Sequence, residues 1–210
     1  MAGTDWLKRV LDAAASGVGL IVTAPVMAGT AGVVLVGFGR PVLFRQPRPG
    51  RDAEVFELVK FRTMVAPDEQ RQTDAERLTP VGRFLRSTSL DELPTLWNVL
   101  RGEMSLVGPR PLLVEYLDRY TPEQARRHEV RPGITGLAQV SGRNSLDWDD
   151  KLALDVEYVD NHNLWLDARI LARTLGLVFR RDGISADGEA TMPIFRGSAG
   201  SGDVTTEGRR

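Results

Sequence analysis

No charged residue occurs between Ala13 and Phe38, whereas the rest of this 210-residue chain is densely charged. As a helix that segment would extend about 39 Å at 1.5 Å per residue, enough to cross a hydrocarbon core of about 30 Å. A cleaved signal peptide fits poorly, because the run is too long for a usual apolar region and no cleavage site follows it. A single straight span is weakened by Pro25, which removes a backbone hydrogen bond. It is weakened again by basic residues at both ends, Lys8 and Arg9 before and Arg40, Arg45, Arg48 and Arg51 after, since cations favour the cytoplasmic side. A re-entrant helix–break–helix, broken at Pro25 and returning to the face it entered from, satisfies both constraints. A span and a buried helical hairpin are the alternatives.

The body of the chain differs from that segment in being densely charged. With 27 Lys and Arg against 28 Asp and Glu, the net charge is −1, which offers no basis for nucleic-acid binding. There is no Cys, so a disulfide framework, a Cys-ligated zinc and a Cys nucleophile are excluded. The only histidines are His128 and His162, so a metal would need oxygen ligands, which points to a hard cation such as Mg²⁺. Residues 40–65 read as two strands joined by a turn-rich segment, and residues 66–79 as a surface loop or short helix. Residues 80–102 read as helical. Thr121-Pro122 is a helix start, and further helices run from Asp147 to about Asn161 and from Leu164 to about Arg181. The last of these is amphipathic with Trp165 and several Arg, a pattern shared by membrane-interface and core-facing helices. The expected fold class is α+β, mostly helical with a small β element. Its parts are a membrane anchor over 1–39, a cytosolic catalytic unit over 40–182 with amphipathic interface helices, and a flexible tail over 183–210.

Among possible sites, Asp91-Glu92 stands out. Ser89 and Glu92 fit a capping box, which predicts an α-helix starting at Ser89 with Asp91 in its first turn. Acidic first turns are routine structural features. The same helix-terminal field would also keep Asp91 ionised, hence nucleophilic or metal-binding, and could receive a phosphate. Basic residues surround the pair in sequence: Lys60 and Arg62, Arg83 and Arg86, Arg110 between two prolines, and Arg131 and Arg143 in Gly-rich turns. Arg in a stiff loop suits a bidentate grip on phosphate, although each one singly is more often a surface charge. Together with an apolar segment they suggest a phosphoryl substrate at a bilayer surface.

These motifs resemble the bacterial sugar transferases, the monotopic phosphoglycosyl transferases that begin lipid-linked glycan assembly. The resemblance is carried by Lys8-Arg9 with Asp12, by Pro25, and by residues 41–50 (PVLFRQPRPG), 60–64 (KFRTM), 88–112 (TSLDELPTLWNVLRGEMSLVGPRPL), 131–144 (RPGITGLAQVSGRN) and 155–167 (DVEYVDNHNLWLD). It implies transfer of a sugar-1-phosphate from a UDP-sugar to undecaprenyl phosphate with release of UMP. Asp91 would be the nucleophile and a Mg²⁺ ligand, and Glu92 would give metal or acid–base support. Lys60, Arg62, Arg86, Arg110, Arg131, Arg143 and Asn144 would hold substrate phosphates. It implies placement at the cytoplasmic face of a bacterial inner membrane, with UDP-sugar, undecaprenyl phosphate and the bilayer as partners, and leaves room for homo-oligomers. The family commonly pairs Ser with the membrane proline, whereas Ala24 precedes Pro25 here and Thr23 stands one place earlier. A catalytically idle anchor on the same fold and a soluble sugar-nucleotide binder are the competing readings.

Overall fold

The computed structural model describes residues 2–67, 69, 71–142, 146–180 and 194–197. Its dominant element is α1 (Ala2–Phe38), one helix of 37 residues with Pro25 inside it. At 1.5 Å per residue it is about 55 Å long. The expected interruption of helical structure at Pro25 is absent: α1 is helical on both sides of it. Proline removes one N–H and crowds the preceding turn, but contacts on both sides of it hold the two halves. Asp12 and Ser16 are buried before it, and Thr30 and Val34 after it. Thr23, in the turn before Pro25, donates from Oγ1 to the Gly19 carbonyl at 2.7 Å, a side-chain contact of the kind that often bends a helix without ending it.

The distribution of side chains on α1 is inverted relative to a helix of a soluble core. Val18, Ile21, Val22, Val26, Val33 and Val36 are exposed, while three of the buried residues just named are polar. The inward side packs on the body along most of its length. Arg9 donates to the carbonyls of Val99 and Leu100 at 2.6 and 2.7 Å, placing a cation at the negative end of α4 (Thr95–Arg101). Lys8 pairs with Asp167 at 2.7 Å. Ser105 Oγ donates to Asp12 at 2.7 Å. Farther along, Met27, Ala31 and Val34 pack with Phe61, Leu85, Val42 and Leu43.

The body is mostly helical around two small sheets. β1 (Leu43–Pro49) and β2 (Val55–Phe61) form the expected antiparallel hairpin, with Leu43 opposite Phe61 and Pro49 opposite Val55. After α2 (Asp74–Arg77) and α3 (Pro80–Ser87) comes α4, then β3 (Ser105–Val107). α5 (Pro122–Ala125) starts at Thr121, whose side chain caps it as the sequence predicts. β4 (Gly133–Thr135) pairs with β3 in parallel. α6 (Leu137–Ser141), α7 (Trp148–Asn161) capped by Asp147, and α8 (Leu164–Arg180) complete it. The β3–β4 pair was not anticipated. Glycines permit it: a Cβ on Gly133 would lie 2.1 Å from the Gly108 nitrogen, a separation no side chain tolerates. On α8, Ile170 is buried, whereas Trp165 and Leu175 remain exposed.

The segment expected to be a flexible tail lies largely outside the described residues. Its described part, 194–197, holds Phe195, which is 1% exposed and packed against Tyr116 and Leu152. Its amide donates to the Tyr116 hydroxyl at 3.2 Å, and its carbonyl accepts from Arg119. Phe195 is therefore a core residue, contrary to a tail reading of that position.

Candidate active site

Between α3 and α4 the chain makes a single 3₁₀ turn over Leu90–Glu92. Ser89 occupies the left-handed region at φ 55° and its side chain caps nothing. The capping box and the α-helix start expected at Ser89 are thus absent, and the α-helix begins only at Thr95, after Pro94. Glu92 finds stronger partners than a backbone N–H. Its Oε1 accepts from Lys60 Nζ at 2.6 Å and from the Arg110 guanidinium at 2.9 Å. Two charge-assisted bonds outweigh one capping contact.

Asp91 is turned inward and is 8% exposed. No described group donates a hydrogen bond to it. Burial, followed by the charge of Glu92, pushes its carboxyl up to about 6, while Lys60, Arg86 and Arg110 pull in the opposite direction. The expectation that a helix-terminal field simply keeps it ionised is corrected: desolvation dominates. Glu92 behaves oppositely. Burial alone would raise it, but Lys60 and Arg110 hold it well below the usual carboxylate range. Lys60 is pulled down by burial and partly restored by Glu92, and Glu92 pushes Arg110 up. Two adjacent carboxylates with such different environments are suited to different roles.

Each partner is placed by the backbone around it. Lys60 projects from β2. Arg110 follows β3, where Gly133 N–H donates to the Pro109 carbonyl and Gly108 N–H to the Thr135 carbonyl, both at 2.9 Å. The Arg110 carbonyl accepts from Arg127 at 2.7 Å. Arg127 is itself buried and paired with buried Asp155 at 2.6 Å. Arg86 donates to Thr63 Oγ1 at 3.1 Å and is one of the three cations whose field reaches Asp91. That approach requires Gly82, where a Cβ would lie 1.9 Å from the Thr63 carbonyl.

Lys60, Arg86 and Arg110 are therefore gathered around Asp91-Glu92. Arg62 and Arg131 are not. Arg62 donates to the Phe38, Gly39 and Arg40 carbonyls at the end of α1, a helix-capping role. Arg131 donates to the Gly102 carbonyl at 2.8 Å, just past α4. Arg143 and Asn144 lie outside the described residues. Pro25 is on α1. Sequence reasoning missed the supporting residues Thr63, Arg127 and Asp155, which no local pattern singles out. On the other side of the hairpin, a groove of about 1320 Å³ is lined by Met27, Ala31, Val59, Trp97, Arg101 and Arg131, and neither Asp91 nor Glu92 borders it.

No cluster of three or more metal-ligating side chains occurs among the described residues. Mg²⁺, however, is commonly held by one or two carboxylates plus substrate phosphates. Asp91, which receives no hydrogen bond from a described group, with Glu92 beside it, fits that mode and not an all-protein cage.

A buried carboxylate with cations gathered around it, beside a long apolar helix, is an arrangement suited to phosphate chemistry. The chain belongs to the bacterial sugar transferase family, whose family model matches residues 3–181. It is 47% identical over 203 residues to the uncharacterized sugar transferase EpsL of Bacillus subtilis, covering 95% of this chain and 99% of that one. It is 40% identical to a UDP-glucose:undecaprenyl-phosphate glucose-1-phosphate transferase of Caulobacter vibrioides, over 85% of this chain and 72% of the relative. It is 39% identical to an undecaprenyl-phosphate galactose phosphotransferase of Salmonella typhimurium, over 85% of this chain and 41% of the relative.

Proposed function

We propose that this chain transfers a sugar-1-phosphate from a UDP-sugar to undecaprenyl phosphate, releasing UMP. The names of the relatives support the general reaction, and the observation that carries it here is Asp91: buried, raised to about 6, and facing three cations. A carboxylate near 6 is ionised at neutral pH yet more basic than an ordinary Asp, as a nucleophile should be. Its oxygen attacks the sugar-bearing phosphorus, the phosphorus–oxygen bond to the nucleotide breaks, and UMP leaves with the bridging oxygen. A phosphate oxygen of undecaprenyl phosphate then attacks the same phosphorus and frees Asp91. Glu92, held ionised, anchors Lys60 and Arg110 and is a poor proton donor. Arg110, Lys60 and Arg86 offset phosphate charge, which is what phosphoryl transfer chiefly demands. A Mg²⁺ held by Asp91 and Glu92 together with the diphosphate would supply further charge neutralisation.

The membrane reading rests on α1. Its exposed side is apolar, and it is long and apolar enough to cross a bilayer by length and composition. Both halves of α1 pack on the same body. A perpendicular span would drag that body into the bilayer. This favours insertion from one face, the cytoplasmic one by the basic residues at both ends, with Trp165 and Leu175 of α8 in the interface. The product would open a lipid-linked glycan.

The test is UMP release from a panel of UDP-sugars by membranes, with and without undecaprenyl phosphate and Mg²⁺. Lipid- and metal-dependent release from a UDP-sugar, lost in Asp91→Asn, is expected. Full turnover by a well-folded Asp91→Asn would overturn the reading.

A further inference from the structure

The cationic side of the hairpin extends beyond the residues that surround Asp91. Register places Phe44 opposite Lys60, Gln46 opposite Leu58 and Arg48 opposite Phe56. Directly opposed residues share a face and alternate residues repeat it, so Arg48 and Lys60 leave the same side of the sheet. Four residues of β2 separate their positions, about 13 Å. Lys60 is neutralised by Glu92. Arg48, in contrast, forms no ion pair among the described residues. Its side chain donates to Gln46 Oε1 at 2.6 Å, while its Nε is buried without an acceptor. The charge that bears on it most strongly is another cation, Arg110, ahead of the weaker influences of Tyr116, Tyr120 and Glu115. Burial brings it down to about 10, which leaves it cationic at neutral pH. A half-buried guanidinium within the field of a second one, with no carboxylate paired to it among the described residues, is a site prepared for an anion.

We propose that Arg48 and Arg110 together hold the phosphate that departs with the nucleotide. The assignment rests on the reaction proposed above. Arg110 and Lys60 both touch Glu92, next to Asp91, and Arg48 stands about 13 Å along the hairpin from Lys60, so Arg48 is the farther of the two arginines from the nucleophile. In an in-line displacement the leaving oxygen is opposite the attacking one. When the bond between the sugar-bearing phosphorus and the bridging oxygen breaks, that oxygen stays on the nucleotide's phosphate, whose added negative charge the two guanidiniums offset without a proton transfer. Arg48 also lies at the end of the hairpin away from Val42 and Leu43, where α1 packs. That favours a soluble nucleotide over the phosphate of a lipid.

The full-length protein in lipid nanodiscs tests this in two ways. Calorimetric titration with UMP compares wild type with Arg48→Gln, Arg48→Lys and, as a control, Arg45→Gln, since Arg45 is exposed on the other face and paired with Glu57. Rapid-quench measurements with the UDP-sugar follow UMP release, and a chase with undecaprenyl phosphate follows the second transfer alone. Arg48→Gln is expected to weaken UMP at least ten-fold and to slow UMP release while leaving the chase unchanged. Arg48→Lys should fall between, and Arg45→Gln should match wild type. Unchanged UMP affinity in Arg48→Gln, or no UMP binding by wild type, overturns the proposal. So does equal slowing of both steps with a lowered melting temperature, which marks a structural role. Slowing of the chase alone assigns the site to the lipid phosphate and overturns the nucleotide assignment. If wild type binds UMP through Arg48 but leaves no sugar phosphate on Asp91, it is the covalent reaction that fails, and the Arg48 site stands.

Discussion

Replacing Asp91 with Asn should abolish transfer and yet stabilise the protein. In the folded chain burial raises the Asp91 carboxyl from 3.8 to about 6, so between those values the native state binds more protons than the unfolded one. Stability therefore falls as pH rises through this window, and the full cost is present above about 6. The gap corresponds to about 3 kcal/mol at 1.36 kcal/mol per tenfold change, which is a ceiling. Asn removes the charge but introduces N–H donors beside Lys60 and Arg86, so we expect about 1–2 kcal/mol to be recovered at pH 7.5. For a chain of this size that is a rise of about 2–8 °C in melting temperature. Differential scanning fluorimetry of both proteins in one detergent, from pH 4 to pH 8, reads it directly. The difference should be positive at pH 7.5 and shrink toward zero near pH 4, where wild-type Asp91 is protonated as well. A difference of zero or below at pH 7.5, or one that does not change with pH, would refute the claim that the folded site strains this carboxylate.

Three further outcomes are expected of the folded protein. UMP release in the first half-reaction should decline as pH drops through about 6, because only ionised Asp91 attacks; a flat rate between pH 5 and pH 8 in rapid-quench experiments would contradict it. Arg127→Met strands buried Asp155 and frees the Arg110 carbonyl, and should cost about 3–5 kcal/mol in denaturant unfolding, much of it recovered by the double variant Arg127→Met/Asp155→Leu. Gly133→Ala, whose Cβ would sit 2.1 Å from Gly108, should lose about 3 kcal/mol or more of stability, whereas Gly176→Ala on α8, where nothing lies within 4 Å, should gain up to about 1 kcal/mol; equal melting temperatures for the two would remove the argument from close backbone approach.

What could be read from the sequence was local. The hairpin, the Thr121 and Asp147 caps and the helices after Asp147 follow from neighbouring residues, and the structure contains them. Asp91-Glu92, Lys60, Arg86 and Arg110 could be picked out as a charged group and are brought together. The misreadings share a physical cause, which is competition from distant partners. Ser89 and Glu92 satisfy a capping rule, but Lys60 and Arg110 claim Glu92 first. Pro25 should interrupt a helix in isolation, but burial of Asp12, Ser16, Thr30 and Val34 keeps the chain helical on both sides of it. Arg62 looks like a phosphate ligand beside Lys60 until the end of α1 presents it with three carbonyls. Burial of Asp91, the β3–β4 pairing and docking of Phe195 depend on which surfaces meet, and no local pattern encodes that.

The contacts that tie α1 to the body also set an order of events during synthesis. Lys8 pairs with a residue 159 positions later, and Asp12 with one 93 positions later. At about 5–20 residues per second, Lys8 emerges from the ribosome about 8–30 s before Asp167 emerges to receive it. Until those partners arrive, Lys8 and Asp12 have only each other along the helix and Arg9 lacks the Val99 and Leu100 carbonyls, so water solvates most of this charge. On the membrane placement proposed above, these charges would hold the N-terminus on the side where translation takes place, and the same charges become the bolts of the finished protein.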